Sequence, residues 1–235
     1  MVIRMFKKNK KLRIIKMSMM SLLVIVALIG MMNKKEDISY KEDIGKYNNL
    51  NYDYVFLGDS ITFRNDWEYF YPNYTLINSG IDGNKSNEVL NRLQADVYFY
   101  RPKNIVLLIG VNDISRGVEE DIIVSNVDQI IKDIKENLPN TNIYLESVYP
   151  VNNIRFNRSR SKIKNYKIVS LNEQYKLIAK RYGINYIDVY SSLLDDQGNL
   201  NIIYTKDGLH LNLQGYIAVT NVLNKYIIKE EVSSK

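Results

Sequence analysis

The chain has 235 residues, 46% hydrophobic and 25% charged, which suits one α/β domain with a short appendage and excludes collagen-like, low-complexity and disulfide-scaffold proteins. With no cysteine and a single histidine, disulfides, thiolate metal sites, a cysteine nucleophile, an acylated lipoprotein cysteine and a multi-histidine metal centre are ruled out. Imidazole chemistry falls to His210. The net charge of +6 is not a nucleic-acid footprint: residues 1–35 hold nine of the 32 bases and no acid, leaving 23 bases against 26 acids in the remainder. No nucleic-acid partner is expected.

In chain order, residues 1–16 form a basic segment with seven Lys or Arg, expected to be cytoplasmic. Residues 17–32, MSMMSLLVIVALIGMM, carry no charge and are followed by Lys34 and Lys35. As a helix this run rises about 24 Å, and snorkelling of the flanking lysines brings it close to the roughly 30 Å of a bilayer core. The asymmetry of bases predicts a single-pass anchor with the N-terminus inside and the remainder outside. A cleaved signal peptide followed by secretion is the alternative, although Ala27-Leu28-Ile29-Gly30 lacks a small-x-small exit site. Residues 33–50 read as a polar linker, and the domain is expected to begin near Tyr52 and to occupy 51–235.

Within the domain, short β-branched and aromatic runs at Tyr54–Leu57, Thr75–Asn78, Asn104–Ile109, Asn142–Val148 and Asn185–Val189 predict five strands. Between and after them lie helical patterns. Ile122, Ile123, Val127, Ile130, Ile131, Ile134 and Leu138 repeat at three and four, as do Ile168, Leu171, Tyr175, Ile178, Ala179 and Tyr182, and a last helix is read at 213–228. Alternation of this kind predicts a parallel sheet with helices on both faces, and function at the carboxyl ends of the strands.

Three segments just beyond those ends, and a fourth near the C-terminus beyond the fifth strand, could carry chemistry. Gly58-Asp59-Ser60 presents a serine that is either a nucleophile or an ordinary turn or N-cap. Asn78-Ser79-Gly80-Ile81-Asp82-Gly83-Asn84 holds glycines that let backbone N–H groups approach a ligand, or merely form a turn. Gly110-Val111-Asn112-Asp113 offers an amide donor or a cap. Asp207-Gly208-Leu209-His210 places a carboxylate three residues before the imidazole, where it can bond Nδ1 and leave Nε2 free to take a serine proton. Asp59 and Asp113 are read as stabilising local turn or helix-start structure.

The four blocks, in this order from about Tyr54 to Tyr226, resemble the SGNH hydrolases, also called the GDSL esterase and lipase superfamily. The resemblance implies a flavodoxin-like three-layer α/β/α sandwich with a five-stranded parallel sheet. It implies Ser60 as nucleophile, His210 as general base and then acid, and Asp207 as its orienting carboxylate. The oxyanion hole would comprise the N–H groups of Ser60 and Gly83 and the Asn112 amide, with Gly83 preferred to Gly80. Ile61 stands where leucine is usual and Leu211 where proline is common. No metal or cofactor is implied, and neither a Walker loop nor G-x-G-x-x-G is present.

The expected activity is two-step acyl transfer through a serine ester. Exposure outside the membrane favours removal of O-acetyl groups from an extracellular or cell-wall glycan. A glycan O-acetyltransferase, a lysophospholipase or thioesterase, and a non-catalytic binding module are the alternatives. The long basic connection from Pro150 to Lys162 suggests that Arg155, Arg158 and Arg160 meet an acidic substrate.

Overall fold

The computed structural model describes residues 51–156 and 162–227. The expected cytoplasmic segment 1–16, membrane run 17–32 and linker 33–50 lie outside the described residues, as do Arg158 and Arg160. Among the described residues no helix is long and apolar enough to cross a membrane.

Five parallel strands form one sheet in the order β2-β1-β3-β4-β5: β1 (Tyr54–Gly58), β2 (Leu76–Gly80), β3 (Asn104–Leu108), β4 (Asn142–Glu146) and β5 (Asn185–Ile187). The chain runs outward from β1 to β2, then returns to place β3 on the other side of β1. The β1/β3 boundary is therefore the switch point at which a crevice opens beyond the strand ends. Val55 and Leu57, pointing to one face, are as buried as Tyr54 and Phe56, pointing to the other. A sheet whose strands are apolar on both sides needs helices on both sides.

Among the described residues seven α-helices follow or separate the strands: α1 (Ser60–Phe63), α2 (Trp67–Phe70), α3 (Ser86–Asn91), α4 (Val111–Arg116), α5 (Glu120–Asn137), α6 (Asn165–Tyr182) and α7 (Leu213–Ile227). On the Tyr54 face, the Tyr54 hydroxyl donates to the Ile227 carbonyl of α7 at 3.4 Å. Phe56 there stacks on Trp67 of α2 with ring centroids 3.9 Å apart. The Trp67 indole N–H donates to the Thr62 carbonyl of α1 at 3.0 Å. Of the residues that predicted α5, Ile123, Val127, Ile130, Ile131 and Ile134 are buried, whereas Ile122 is half exposed. α6 begins three residues before the predicted pattern and stops at Gly183, whose left-handed φ of 62° ends it.

The fourth and fifth strands are shorter than their apolar runs. Ser147 explains both ends, because its hydroxyl accepts the N–H groups of Val189 at 3.0 Å and Tyr190 at 2.8 Å in place of ladder bonds. The second strand lies one residue later than predicted at its start and runs two residues further, to Gly80.

The last residue of β4, Glu146, is almost wholly buried and accepts a hydrogen bond from the Tyr149 hydroxyl. Burial raises its pKa from 4.5 to about 7, against that one hydrogen bond. The native state thus binds this proton more tightly than the unfolded chain does. The carboxyl costs little stability below its unfolded pKa, and progressively more as the pH rises to about 7, beyond which the cost is constant. Glu146→Gln keeps an acceptor for Tyr149 and removes the charge. In urea unfolding it is expected to match the parent near pH 4 and to exceed it at pH 8 by up to about 3 kcal/mol; an equal effect at both pH values would contradict this account.

Candidate active site

Ser60 is the first residue of α1, immediately beyond the end of β1, and is almost buried. The turn that delivers it is held by Asp59, whose Oδ1 accepts the Ile61 N–H at 2.9 Å. Asp59 is thus an N-cap, as its position suggested. α1 folds straight back over the sheet edge, and the strands beneath it end in glycine for that reason. A Cβ on Gly58 would run into the Thr62 side chain and the Leu108 carbonyl, and one on Gly80 into the Phe63 backbone.

The Ser60 hydroxyl lies 3.0 Å from His210 Nε2, across 150 residues of sequence. His210 Nδ1 in turn lies 2.6 Å from Asp207 Oδ2. With Nδ1–H donating to the carboxylate, Nε2 is left as the acceptor for the serine hydroxyl. Asp207 also accepts, through Oδ1, the N–H groups of Leu209 at 3.0 Å and His210 at 2.8 Å. Its partial burial acts to raise its pKa, but the bonds from His210 and from these two N–H groups outweigh that and bring it down to about 2. Asp207 is therefore anionic at any ordinary pH. The part it contributes to native stability is present above its unfolded pKa of 3.8 and is lost as the pH falls through about 2.

The turn carrying both residues is clamped from the β4 side. Asn152 N–H donates to the Gly208 carbonyl at 2.8 Å. Gly208 has φ 85°, and a Cβ there would stand 2.6 Å from Phe156 N and 2.8 Å from the Asn152 carbonyl. Thr205 adds a second tie, its hydroxyl donating to the His210 carbonyl at 2.7 Å and accepting the Gly208 N–H at 2.9 Å.

The other two blocks meet beside Asp59. Asn112, in the first turn of α4, donates through Nδ2 to the Asn84 carbonyl at 3.0 Å and to Asp59 Oδ2 at 3.3 Å. Both partners are pure acceptors while Asp59 is ionised, which orients Nδ2 rather than Oδ1 of the amide toward Asp59. Burial pushes the Asp59 pKa up to about 7; the Ile61 N–H opposes the rise, and Asp113 and Asp82 add to it. Gly83 has φ 78° and no atom within 4 Å of where its Cβ would be, and its N–H has no main-chain partner among the described residues. The Gly80 N–H, by contrast, is taken by the Asn78 side chain at 3.0 Å. The Ser60 N–H, at the start of a helix, has no carbonyl one turn back to bond. Asp113 serves a different helix from its own: it accepts the N–H and hydroxyl of Ser86, the latter at 2.6 Å, and so holds α3 to α4.

An open cleft of about 350 Å³ adjoins His210 between Arg64, Lys206, Asp207, Asn212 and Leu213. Arg155 lies beside it, its guanidinium donating to the Lys206 carbonyl at 3.4 Å. A larger hollow of about 650 Å³, bounded by Tyr98, Arg101, Lys103 and Asn140, lies at the amino ends of the strands, away from Ser60. Position relative to the serine, not size, identifies the chemically relevant cleft. Sequence reasoning missed Asn152, Thr205 and Arg92, all of which act on main-chain carbonyl or N–H groups.

Residues 56–218 match the model of the GDSL-like lipase/acylhydrolase family. A Streptococcus pneumonia protein named for platelet activating factor is 31% identical, with a TM-score of 0.72 over 86% of this chain and 99% of that one. A GDSL-like lipase from Bacteroides thetaiotaomicron is 28% identical, with a TM-score of 0.68 over 81% and 98%. The fold is also that of a catalytic mutant of an acetylxylan esterase from Geobacillus stearothermophilus, 17% identical, with a TM-score of 0.60 over 75% and 94%. No match was found among curated proteins.

A hydroxyl, an imidazole and a carboxylate in this line can activate the hydroxyl as a nucleophile. Asp207→Asn can retain the two backbone bonds through its oxygen, but its NH₂ then faces Nδ1 and forces the proton onto Nε2. A fall of about 10⁴-fold in kcat for a nitrophenyl ester is expected, with complete loss of serine-dependent turnover in Ser60→Ala; an Asp207→Asn rate within tenfold of the parent (about 1.4 kcal/mol) would exclude the relay.

Proposed function

The chain belongs to the GDSL-like lipase/acylhydrolase family and is an esterase-type hydrolase; on that premise we propose that it removes O-acetyl groups from an extracellular or cell-wall glycan, with Ser60 as nucleophile. The hydrogen-bonded line from Ser60 through His210 to Asp207 carries this reading.

Ser60 Oγ attacks the ester carbonyl carbon while His210 Nε2 takes its proton, and the Asp207 carboxylate stabilises the imidazolium. The carbonyl oxygen, now an anion, collects the N–H groups of Ser60 and Gly83 and one N–H of Asn112. The longer of the two Asn112 bonds, to Asp59, is the one that gives way. Each such donor is worth about 2.7–4 kcal/mol to the barrier. Collapse expels the sugar hydroxyl with the proton from His210. Water then attacks the acetyl-serine by the same route and releases acetate.

The cleft beside His210 supports a small acyl group and a hydrophilic alcohol. It is open, and Arg64, Lys206 and Asn212 give it polar walls. Support for a site outside the membrane comes from the bases concentrated before the uncharged run at 17–32. Arg155, beside the same cleft, is assigned to contact with acidic groups on the glycan.

The full chain, given nitrophenyl esters from acetyl to octanoyl, is expected to prefer acetyl, and added glycan is not expected to become acetylated. Preference for octanoyl would redirect the assignment to lipid substrates, and glycan acetylation would make the protein a transferase. Arg155→Ala is expected to raise KM for an acidic acetylated glycan about three- to tenfold, an effect that fades with salt and is absent for a neutral glycan. Equal, salt-insensitive KM values would remove Arg155 from recognition.

A further inference from the structure

We propose that Arg92 is a positioning residue for the oxyanion hole, fixing its three donors relative to one another without touching the substrate. The inference rests on the assignment of Ser60, Gly83 and Asn112 made above. Arg92 follows α3, and its side chain is 14% exposed. All three of its guanidinium nitrogens donate. Nε donates to Asn84 Oδ1 at 2.9 Å, Nη2 donates to the carbonyls of Gly58 and Ser79 at 2.9 Å each, and Nη1 pairs with Asp96.

These acceptors are the places from which the donors hang. Gly58 is two residues before Ser60. Asn84 follows Gly83 directly, and its carbonyl receives the Asn112 amide at 3.0 Å. One planar cation thus ties the end of β1, the end of β2 and the 81–84 turn into a single unit. The turn is bonded to β1 at its start, where Ile81 N–H donates to the Gly58 carbonyl at 3.1 Å, and Asn84 N–H donates to the Ile81 carbonyl at 3.2 Å, but nothing packs within 4 Å of the Cβ position at Gly83. The Arg64–Asp82 pair also reaches this turn, but at 3.2 Å with both side chains about half exposed it holds little. A lysine would carry the charge yet could not point fixed N–H groups at three acceptors in one plane.

The test measures, on the full chain, the rate of Ser60 labelling by a fluorophosphonate per titratable site, together with kcat and KM for nitrophenyl acetate. Arg92→Lys is expected to lower the labelling rate and kcat about ten- to a hundredfold, with KM within about twofold. A merely structural residue would reduce the fraction of titratable sites and the melting temperature while leaving the rate per site unchanged, and that result would overturn the proposal. Asn84→Ala, which removes only the Nε acceptor, is expected to show the same kcat-only loss to a smaller degree. It decides the matter if Arg92→Lys does not fold, and a parental rate in Asn84→Ala then overturns the proposal. Absence of labelling in the parent would overturn the esterase assignment and this proposal together; labelling of the parent at a rate shared by folded Arg92→Lys would overturn this proposal alone.

Discussion

Everything at this site depends on a short helix lying against the carboxyl ends of two strands whose last residues bring no side chain of their own. Gly58 and Gly80 sit level in the β1–β2 register, and α1 crosses both at a distance that no Cβ permits. Had either strand ended in a larger residue, α1 would stand further off and Ser60 would move away from His210. The serine is thus placed by missing atoms. The rigidity of the sheet passes to Ser60, because at Gly80 main chain rests on main chain and at Gly58 the Thr62 side chain fills the place a Cβ would take.

A second constraint is electrostatic. Asp59 is fully buried and no basic side chain pairs with it among the described residues; its carboxylate relies on the Ile61 N–H and the Asn112 amide. Such a group is expensive to keep ionised, which is why its pKa rises to about 7. Asp207 stands in the opposite condition, partly exposed and supplied with an imidazole and two N–H donors, and its pKa falls to about 2. Two aspartates near one serine are thereby separated in function by their surroundings. The carboxylate beside His210 is held ionised, while the buried one, its pKa raised by burial, lies against the Asn112 amide.

The sheet, its five strands and the long helices α5 and α6 were legible because each is long enough for periodicity to show. Three of the site blocks were legible because each is a consecutive run at the end of a strand, and the fourth, Asp207 to His210, well beyond β5, because a carboxylate stands three residues before the single histidine. The helices α1 to α4 were not, being four to six residues long, too short to display a helical period. Strand ends were misplaced where a side chain replaced the ladder, as Ser147 does. Asn112 was readable as a donor, but its present partners, Asn84 carbonyl and Asp59, depend on spacing across 28 and 53 residues. Arg92 and Asn152 left no signal at all, since an arginine or asparagine that serves carbonyl groups looks in sequence like any polar surface residue.

The sole tryptophan of the chain, Trp67, is stacked on Phe56 of β1, and its indole N–H is bonded to the carbonyl of Thr62, two residues beyond Ser60. Indole emission responds to the polarity around the ring and to the hydrogen bond on its nitrogen. The protein therefore carries one indole reporter, hydrogen-bonded to the short helix that positions Ser60. A loosening of that helix would change the surroundings of the indole, and with them its emission, with no label attached.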